Sequence, residues 1–276
     1  MNLESLRASR DAGAKLLVPY VTGGLGADWL DVVRAAAAAG ADAIEIGIPF
    51  SDPVMDGPVI QEASARALAA GATPAGLVAE LGRADVGVPL VVMTYYNLIF
   101  RAGHRRFART LAEAGVAGAI LPDLPLEELD DWARAADDAG VDTILLAAPT
   151  TPDDRLAALC ARSRGWVYGV GLMGVTGERQ ALATSAAVMG ARLKAVTDLP
   201  VLIGVGISTP AQAVAAADSA DGVIVGSALV RRLLDGAGPE GAAAFVGELR
   251  AALDAGAAGA AVRGGPGRLG VHDTVV

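Results

Sequence analysis

The stretch that decides the fold runs from Ile44 to Pro58 and reads IEIGIPFSDPVMDGP. It begins as an apolar strand that carries one carboxylate, Glu45. Because strand side chains alternate between two faces, the isoleucines share one face and Glu45 takes the other. In a parallel sheet backed by helices, the isoleucines face the helices and Glu45 points into the space that the sheet encloses. A carboxylate there is costly unless it is hydrogen-bonded or takes part in chemistry, and the pattern leaves both interpretations open.

The same strand-and-helix unit recurs along the whole chain. Several predicted helices end at a glycine and re-enter a strand through an Ala-Gly-Val or Ala-Gly-Ala-Asp sequence, as at residues 39–42, 114–116 and 139–142. Eight short apolar strands, each followed by a capped helix, indicate a parallel sheet with helical crossovers. The strands are predicted at residues 16–21, 43–48, 89–95, 119–121, 143–148, 166–170, 201–205 and 223–225.

Eight units without a break in composition favour closure into a barrel over a doubly wound open sheet. We therefore predict an α/β fold, a single (β/α)8 TIM barrel over residues 1–255, with an extra N-terminal helix and additional helices after strands two and eight. Residues 256–276 are rich in glycine and alanine and are expected to form a flexible tail.

Composition excludes several classes of function. The chain has 276 residues, of which 53% are hydrophobic, and a net charge of -9, which argues against a nucleic-acid or anionic-membrane surface. Its apolar runs are too short to span a membrane, and its start lacks a signal-peptide core, so the cytoplasm is the expected compartment. The single cysteine, Cys160, excludes an intrachain disulfide, and the two histidines, His104 and His272, offer no metal-ligand spacing, so no metal is expected.

Acid/base chemistry must therefore come from carboxylates. The loop after strand two bears Asp52 and Asp56, close in sequence to Glu45. Active sites of (β/α)8 enzymes lie at the carboxyl ends of the strands, where two carboxylates in unequal environments can act as an acid/base pair. Taken alone, the Asp56-Gly57-Pro58 sequence is more typical of a turn that ends in a helix-starting proline than of a catalytic loop.

Glycines at the ends of the last strands predict an anion site. Strands seven and eight end in GVGIS at 204–208 and GSAL at 226–229, and the long loop after strand six carries GVTG at 174–177. Such glycines let backbone N–H groups approach a phosphate, and a helix beginning near Ser227 adds its positive dipole end. Each motif alone is also explained by a tight turn, but three on successive loops favour phosphate binding.

With these residues assembled, the chain from about Lys15 to Asp254 resembles the tryptophan synthase alpha subunit (indole-3-glycerol phosphate lyase) family. Five motifs agree with that family in order and spacing: IEIGIPFSDPVMDGP at 44–58, YYNLIF at 95–100, PDLPLEE at 122–128, GVTG at 174–177 and GSA at 226–228. The chain departs from the usual family pattern at residues 22–26 and at Leu172, Met173 and Val205.

The resemblance implies a barrel that cleaves indole-3-glycerol phosphate into indole and D-glyceraldehyde 3-phosphate, a retro-aldol step in tryptophan biosynthesis. It implies no cofactor in this subunit. It implies a pyridoxal-phosphate-dependent beta subunit as partner, in an alpha2beta2 assembly that contacts the loops after strands two and six. By position it implies that the catalytic pair is Glu45 and Asp56. It implies that the residues for the indole side and loop closure are Tyr20, Tyr95, Tyr168 and Thr176. It also implies four phosphate ligands, which are Gly177, Gly206, Gly226 and Ser227.

Three other functions remain as alternatives. A stand-alone indole-3-glycerol phosphate lyase would release free indole without a beta subunit. Another phosphate-handling barrel, such as an isomerase of the same pathway, is disfavoured by the spacing of Glu45 and Asp56. A non-catalytic partner that only regulates a second protein is disfavoured because both carboxylates are present.

Overall fold

Eight parallel strands close into a barrel in the order β1 to β8, and β8 pairs back with β1. The computed structural model describes the backbone of residues 2–171, 179–204 and 206–263, and the side chains of residues 2–171, 186–204 and 206–259. The predicted (β/α)8 barrel is confirmed. The strands are β1 Leu16–Thr22, β2 Ile44–Gly47, β3 Leu90–Met93, β4 Gly118–Ile120, β5 Asp142–Ala147, β6 Val167–Val170, β7 Val201–Gly204 and β8 Gly222–Val225.

The helices surround this barrel and include the predicted extra ones. They are α1 Glu4–Asp11, α2 Trp29–Ala38, α3 Pro58–Ala69, α4 Pro74–Leu81, α5 Tyr96–Ala102, α6 His104–Glu113, α7 Asp130–Ala139, α8 Asp153–Arg162, α9 Arg179–Lys194, α10 Pro210–Ala217, α11 Ser227–Leu234 and α12 Gly238–Arg263. Helix α1 precedes the first strand, α3 and α4 follow β2, and α11 and α12 follow β8, as predicted. None of the helices in the described part of the chain is long and apolar enough to cross a membrane.

Alternation along β2 sends its side chains to the predicted faces. Ile44 and Ile46 pack outward with apolar side chains of the surrounding helices. Glu45 lies on the opposite face, in register with Tyr20 of β1 and Val91 of β3, and Val91 belongs to the packed interior of the barrel. The barrel interior therefore receives the one carboxylate of this strand.

The amino-terminal end of the barrel is filled by a separate apolar cluster. Leu3, next to α1, and Leu6 of α1 are buried together with Trp166 and inward-facing residues of the strands. Helix α1 thus closes this end of the barrel, and the space that remains inside opens toward the carboxyl ends of the strands.

Three helices differ from the sequence-based expectation. Helix α5 was not predicted; its first backbone N–H, on Tyr96, donates to Asp123 of the β4–α7 loop at 2.9 Å, a contact between segments distant in sequence. The sequence pattern predicts one helix over residues 127–139, but the structure divides it into a 3-10 turn at Leu126–Glu128 and α7. The pattern also predicts a loop from strand six to about Ala183, whereas helix α9 begins at Arg179.

Helix α12 runs to Arg263, past the boundary predicted at residue 255. Its many alanines are strong helix formers and offset the roughly 1 kcal/mol that each internal glycine costs. A flexible tail stays a prediction, because residues 264–276 lie outside the described residues.

The closure by α1 gives a stability prediction. Replacing Leu6 with alanine removes buried methyl groups from the barrel end, so Leu6→Ala is expected to lower the free energy of unfolding by about 2–4 kcal/mol. Denaturant unfolding measures the loss. Ser5→Ala, on the exposed face of the same helix, is the control and should change stability by less than about 0.5 kcal/mol. Equal effects of the two substitutions would contradict the closing role of α1.

Candidate active site

Glu45 is buried inside the barrel with its carboxyl group facing a cavity. Only 1% of the residue is exposed, and its Oε2 atom has no hydrogen-bond partner among the described residues. Burial, reinforced by the negative charge of Asp56, raises the pKa of Glu45 to about 8. The carboxyl group is therefore mainly protonated at neutral pH, a state in which it can give up a proton.

Asp56 faces the same cavity from the loop between β2 and α3. Burial raises the pKa of its carboxyl group, and an interaction with the Tyr95 hydroxyl opposes that rise. The side-chain amide of Gln61 donates to the Asp56 carbonyl at 2.8 Å, which ties the loop to the first turn of α3. Asp56 thus both ends a turn and presents a carboxylate to the cavity, whereas Asp52 of the same loop is exposed.

Tyr20 and Tyr168 form part of the cavity wall close to Glu45. Each ring lies against a glycine of a neighbouring strand: a Cβ atom on Gly47 would come 1.9 Å from the Tyr20 hydroxyl, and one on Gly204 would come 2.6 Å from the Tyr168 hydroxyl. Burial raises the pKa of both phenols above the ordinary value, so both remain protonated donors.

Tyr95 lies behind the strand-two loop and not in the cavity wall. Its ring stacks on Phe50 with centroids 5.0 Å apart, and its hydroxyl accepts a hydrogen bond from the Met55 backbone N–H at 3.1 Å. The same hydroxyl interacts with the Asp56 carboxylate. Tyr95 therefore holds the loop that carries Asp56.

Two of the three predicted glycine loops contribute to the cavity wall. Gly206 from one of them, and Gly226 and Ser227 from the other, line the cavity. Gly206 has a φ of +72°, a conformation that favours glycine. Gly226 is the N-cap of α11 and Ser227 its first residue, and the N–H groups of a first helical turn have no partner within the helix. This wall can accept an anion through backbone donors and the helix dipole.

The remaining wall is mainly apolar, and its residues were not among the predicted site residues. The cavity has a volume of about 320 Å³. The lining residues that were not predicted include Met55, Ile60, Met93, Ile120, Leu146 and Ile224. Strand alternation could have identified the last four, because side chains on one face of each strand point into the barrel near its carboxyl end. No lysine or arginine occurs among the described lining residues.

Thr176 and Gly177, predicted for loop closure and phosphate binding, lie outside the described residues, as do Leu172, Met173 and Val205. Within the described ranges, no group of three or more His, Cys, Asp or Glu side chains is arranged to hold a metal ion.

The buried carboxyl group makes stability depend on pH. Because the pKa of Glu45 rises from 4.5 to about 8 on folding, the folded state holds its proton more tightly than the unfolded state. Stability contributed by this group is present below pH 4.5 and is lost as pH rises toward 8. Glu45→Gln cannot titrate, so its free energy of unfolding relative to the unsubstituted chain should increase across this window.

Urea unfolding at about pH 5, about pH 6.5 and about pH 8.5 spans the titration and measures this difference. Glu113→Gln, at an exposed position on α6, is the control and should follow the unsubstituted chain at every pH. Parallel curves for Glu45→Gln and the unsubstituted chain would contradict the raised pKa.

Comparison with known proteins agrees with these features. The family model described as tryptophan synthase alpha chain matches residues 6–254. The chain is 46% identical to the tryptophan synthase alpha chain of Thermobifida fusca, over 93% of this chain and 97% of that one. It is 48% identical to that of Halorhodospira halophila, over 89% and 90%.

Solved structures give the same result. A chain of Mycobacterium tuberculosis tryptophan synthase superposes with a TM-score of 0.84 at 40% identity, covering 91% of this chain and 97% of that one. The alpha subunit from Legionella pneumophila superposes with a TM-score of 0.82 at 33% identity, covering 92% and 99%. The resemblance predicted from the motifs is confirmed, and the chain belongs to the tryptophan synthase alpha chain family.

Proposed function

We propose that this chain cleaves indole-3-glycerol phosphate to indole and D-glyceraldehyde 3-phosphate as the alpha subunit of a tryptophan synthase, with Glu45 as the acid and base. Membership of a family of lyases supports the reaction. The observation that carries the assignment of residues is the buried Glu45 carboxyl group, which has a raised pKa and shares one cavity with Asp56, Gly206, Gly226 and Ser227.

Glu45 performs both proton transfers of the retro-aldol step. Its carboxylic acid gives a proton to C3 of the indole ring, which places positive charge on the ring nitrogen. The resulting carboxylate takes the proton from the hydroxyl group on the adjacent side-chain carbon. The bond from that carbon to C3 then breaks, its electron pair returns to the ring to form indole, and the side chain leaves as the aldehyde. The acid is regenerated at the end.

Asp56 stabilises the charge that develops on the ring nitrogen. A carboxylate placed beside the N–H of the indole lowers the energy of the protonated ring in a cavity with little water. Tyr95 supports this role from behind, since its hydroxyl contacts both the Met55 N–H and the Asp56 carboxylate. Thr176 is proposed to close onto Asp56 once substrate is bound.

Gly206, Gly226 and Ser227, with Gly177 from the strand-six loop, are proposed to hold the substrate phosphate. Among the described lining residues no basic side chain is available, so the donors are backbone N–H groups, the Ser227 hydroxyl and the dipole of α11. Tyr20 and Tyr168 are proposed to line the indole side next to Glu45.

The partner is proposed to be a beta subunit that carries pyridoxal phosphate, in an alpha2beta2 assembly. No cofactor is proposed for this chain, and family membership implies a beta partner. Large apolar side chains stand exposed in the strand-two loop and on α5: Val54 is 75% exposed and Phe100 65%. Val54 belongs to the loop that also lines the cavity through Met55 and Asp56, so we propose that the beta subunit covers this loop.

Replacement of the acid tests the assignment of Glu45. Glu45→Gln keeps the size of the side chain but cannot transfer a proton, so kcat should fall by at least about 100-fold with the fold intact. Indole release followed by absorbance gives kcat, and circular dichroism checks the fold. Glu113→Gln is the matched control and should keep normal turnover. Near-normal turnover of Glu45→Gln would remove Glu45 from the mechanism.

The partner is tested by the same assay with and without a beta subunit. We expect indole release to accelerate strongly when the beta subunit is added. High unaided turnover that the beta subunit does not change would identify a stand-alone lyase. No indole release under either condition would reject the proposed reaction.

A further inference from the structure

Arg192, on α9, uses all three of its side-chain nitrogens to bind the loop between β5 and α8 and the first residue of α8. Its Nη1 atom donates to the Pro149 carbonyl at 3.0 Å, and its Nη2 atom donates to the Thr151 carbonyl at 2.6 Å. Nη2 and Nε also donate to the Asp153 carboxylate, at 2.6 Å and 3.2 Å. A single side chain therefore binds two backbone carbonyls and the first residue of α8.

This loop is part of the cavity wall. Ala148, Pro149 and Thr150 line the cavity that holds Glu45 and Asp56. The loop closes on itself, because the Ala148 N–H donates to the Thr151 hydroxyl at 3.1 Å and the Thr151 N–H donates to the Ala148 carbonyl at 2.9 Å. One side of this compact turn thus lines the cavity, while two of its carbonyls are held by Arg192.

We propose that Arg192 is a positioning residue for substrate binding, which holds the β5–α8 loop in the cavity wall. The proposal rests on the proposed function, because it concerns the fit of that substrate. The planar fork of a guanidinium can serve two carbonyls and a carboxylate at once, whereas a lysine ammonium is a point charge on a flexible stem. Arg192 does not line the cavity itself and acts through the loop.

Loss of this anchor should affect binding and not chemistry. A cavity wall that contacts the substrate equally in the bound state and in the transition state stabilises both states to the same degree. If that wall becomes less ordered, KM rises and kcat is unchanged. We expect Arg192→Gln to raise KM for indole-3-glycerol phosphate about tenfold, with kcat within about twofold. Arg192→Lys should recover little of the loss, since it cannot hold both carbonyls.

A matched control separates this role from general stabilisation. Arg162 of α8 has similar exposure (24% of the side chain, against 26% for Arg192) and pairs with Asp137 of α7 at 2.8 Å, without touching the cavity loop. Arg162→Gln should lower thermal stability to a similar degree without changing KM. Asp153→Ala removes only the carboxylate partner and should keep KM near normal, because both carbonyl contacts remain.

The experiment uses the full-length chain assayed with its beta subunit. KM and kcat are measured for the four variants, together with the Kd of indole-3-propanol phosphate, which lacks the hydroxyl group that must lose its proton. A higher KM and Kd for Arg192→Gln and Arg192→Lys, with Arg162→Gln and Asp153→Ala near normal, supports the proposal. Unchanged KM and Kd, an equal rise in Arg162→Gln, or an equal rise in Asp153→Ala would overturn it. If the unsubstituted chain releases no indole, the proposed function fails instead.

Discussion

The burial of one carboxyl group inside the barrel is the constraint on which the rest of the structure depends. An ionised carboxylate without partners would be costly in the apolar interior, so Glu45 remains protonated at neutral pH. The apolar packing that stabilises the fold lies outside this site. It consists of the outward packing of the strands on the helices and of the apolar cluster that fills the amino-terminal end of the barrel.

This arrangement divides the barrel into a stable part and a reactive part. Leu3, Leu6 and Trp166 close one end with apolar packing. The other end keeps a cavity in which Glu45 lies near Asp56, two tyrosines and the first turn of α11. A proton donor with a raised pKa and a wall of backbone donors then occupy one apolar space. That combination suits proton transfer to a carbon atom of a substrate that also carries a phosphate.

Much of this organisation could be predicted from the sequence. Strand alternation, together with the predicted barrel, placed Glu45 inside and the isoleucines outside, because the period of a strand is fixed. The glycines after β7 and β8 indicated the wall formed by Gly206, Gly226 and Ser227. What could not be predicted depends on contacts between distant segments. Asp123 begins α5 by accepting from the Tyr96 N–H, and Arg192 holds carbonyls more than forty positions away along the chain.

The position of Tyr95 shows the same limit. Its motif resembles that of the family, and the resemblance implied a place on the indole side, which stays a prediction. The described geometry adds that its hydroxyl lies on the Met55 N–H and near the Asp56 carboxylate, a contact across forty residues. No local pattern in the sequence could indicate which face of that tyrosine the strand-two loop would occupy.

A titration of the glutamate carboxyl carbons by NMR, in the unsubstituted chain and in Glu45→Gln, tests most directly whether Glu45 is protonated at neutral pH. We expect one resonance that titrates with a midpoint near 8 and is absent from Glu45→Gln. If every glutamate resonance titrates near or below 4.5, the buried carboxyl group is ionised at neutral pH and the proposed acid is not available.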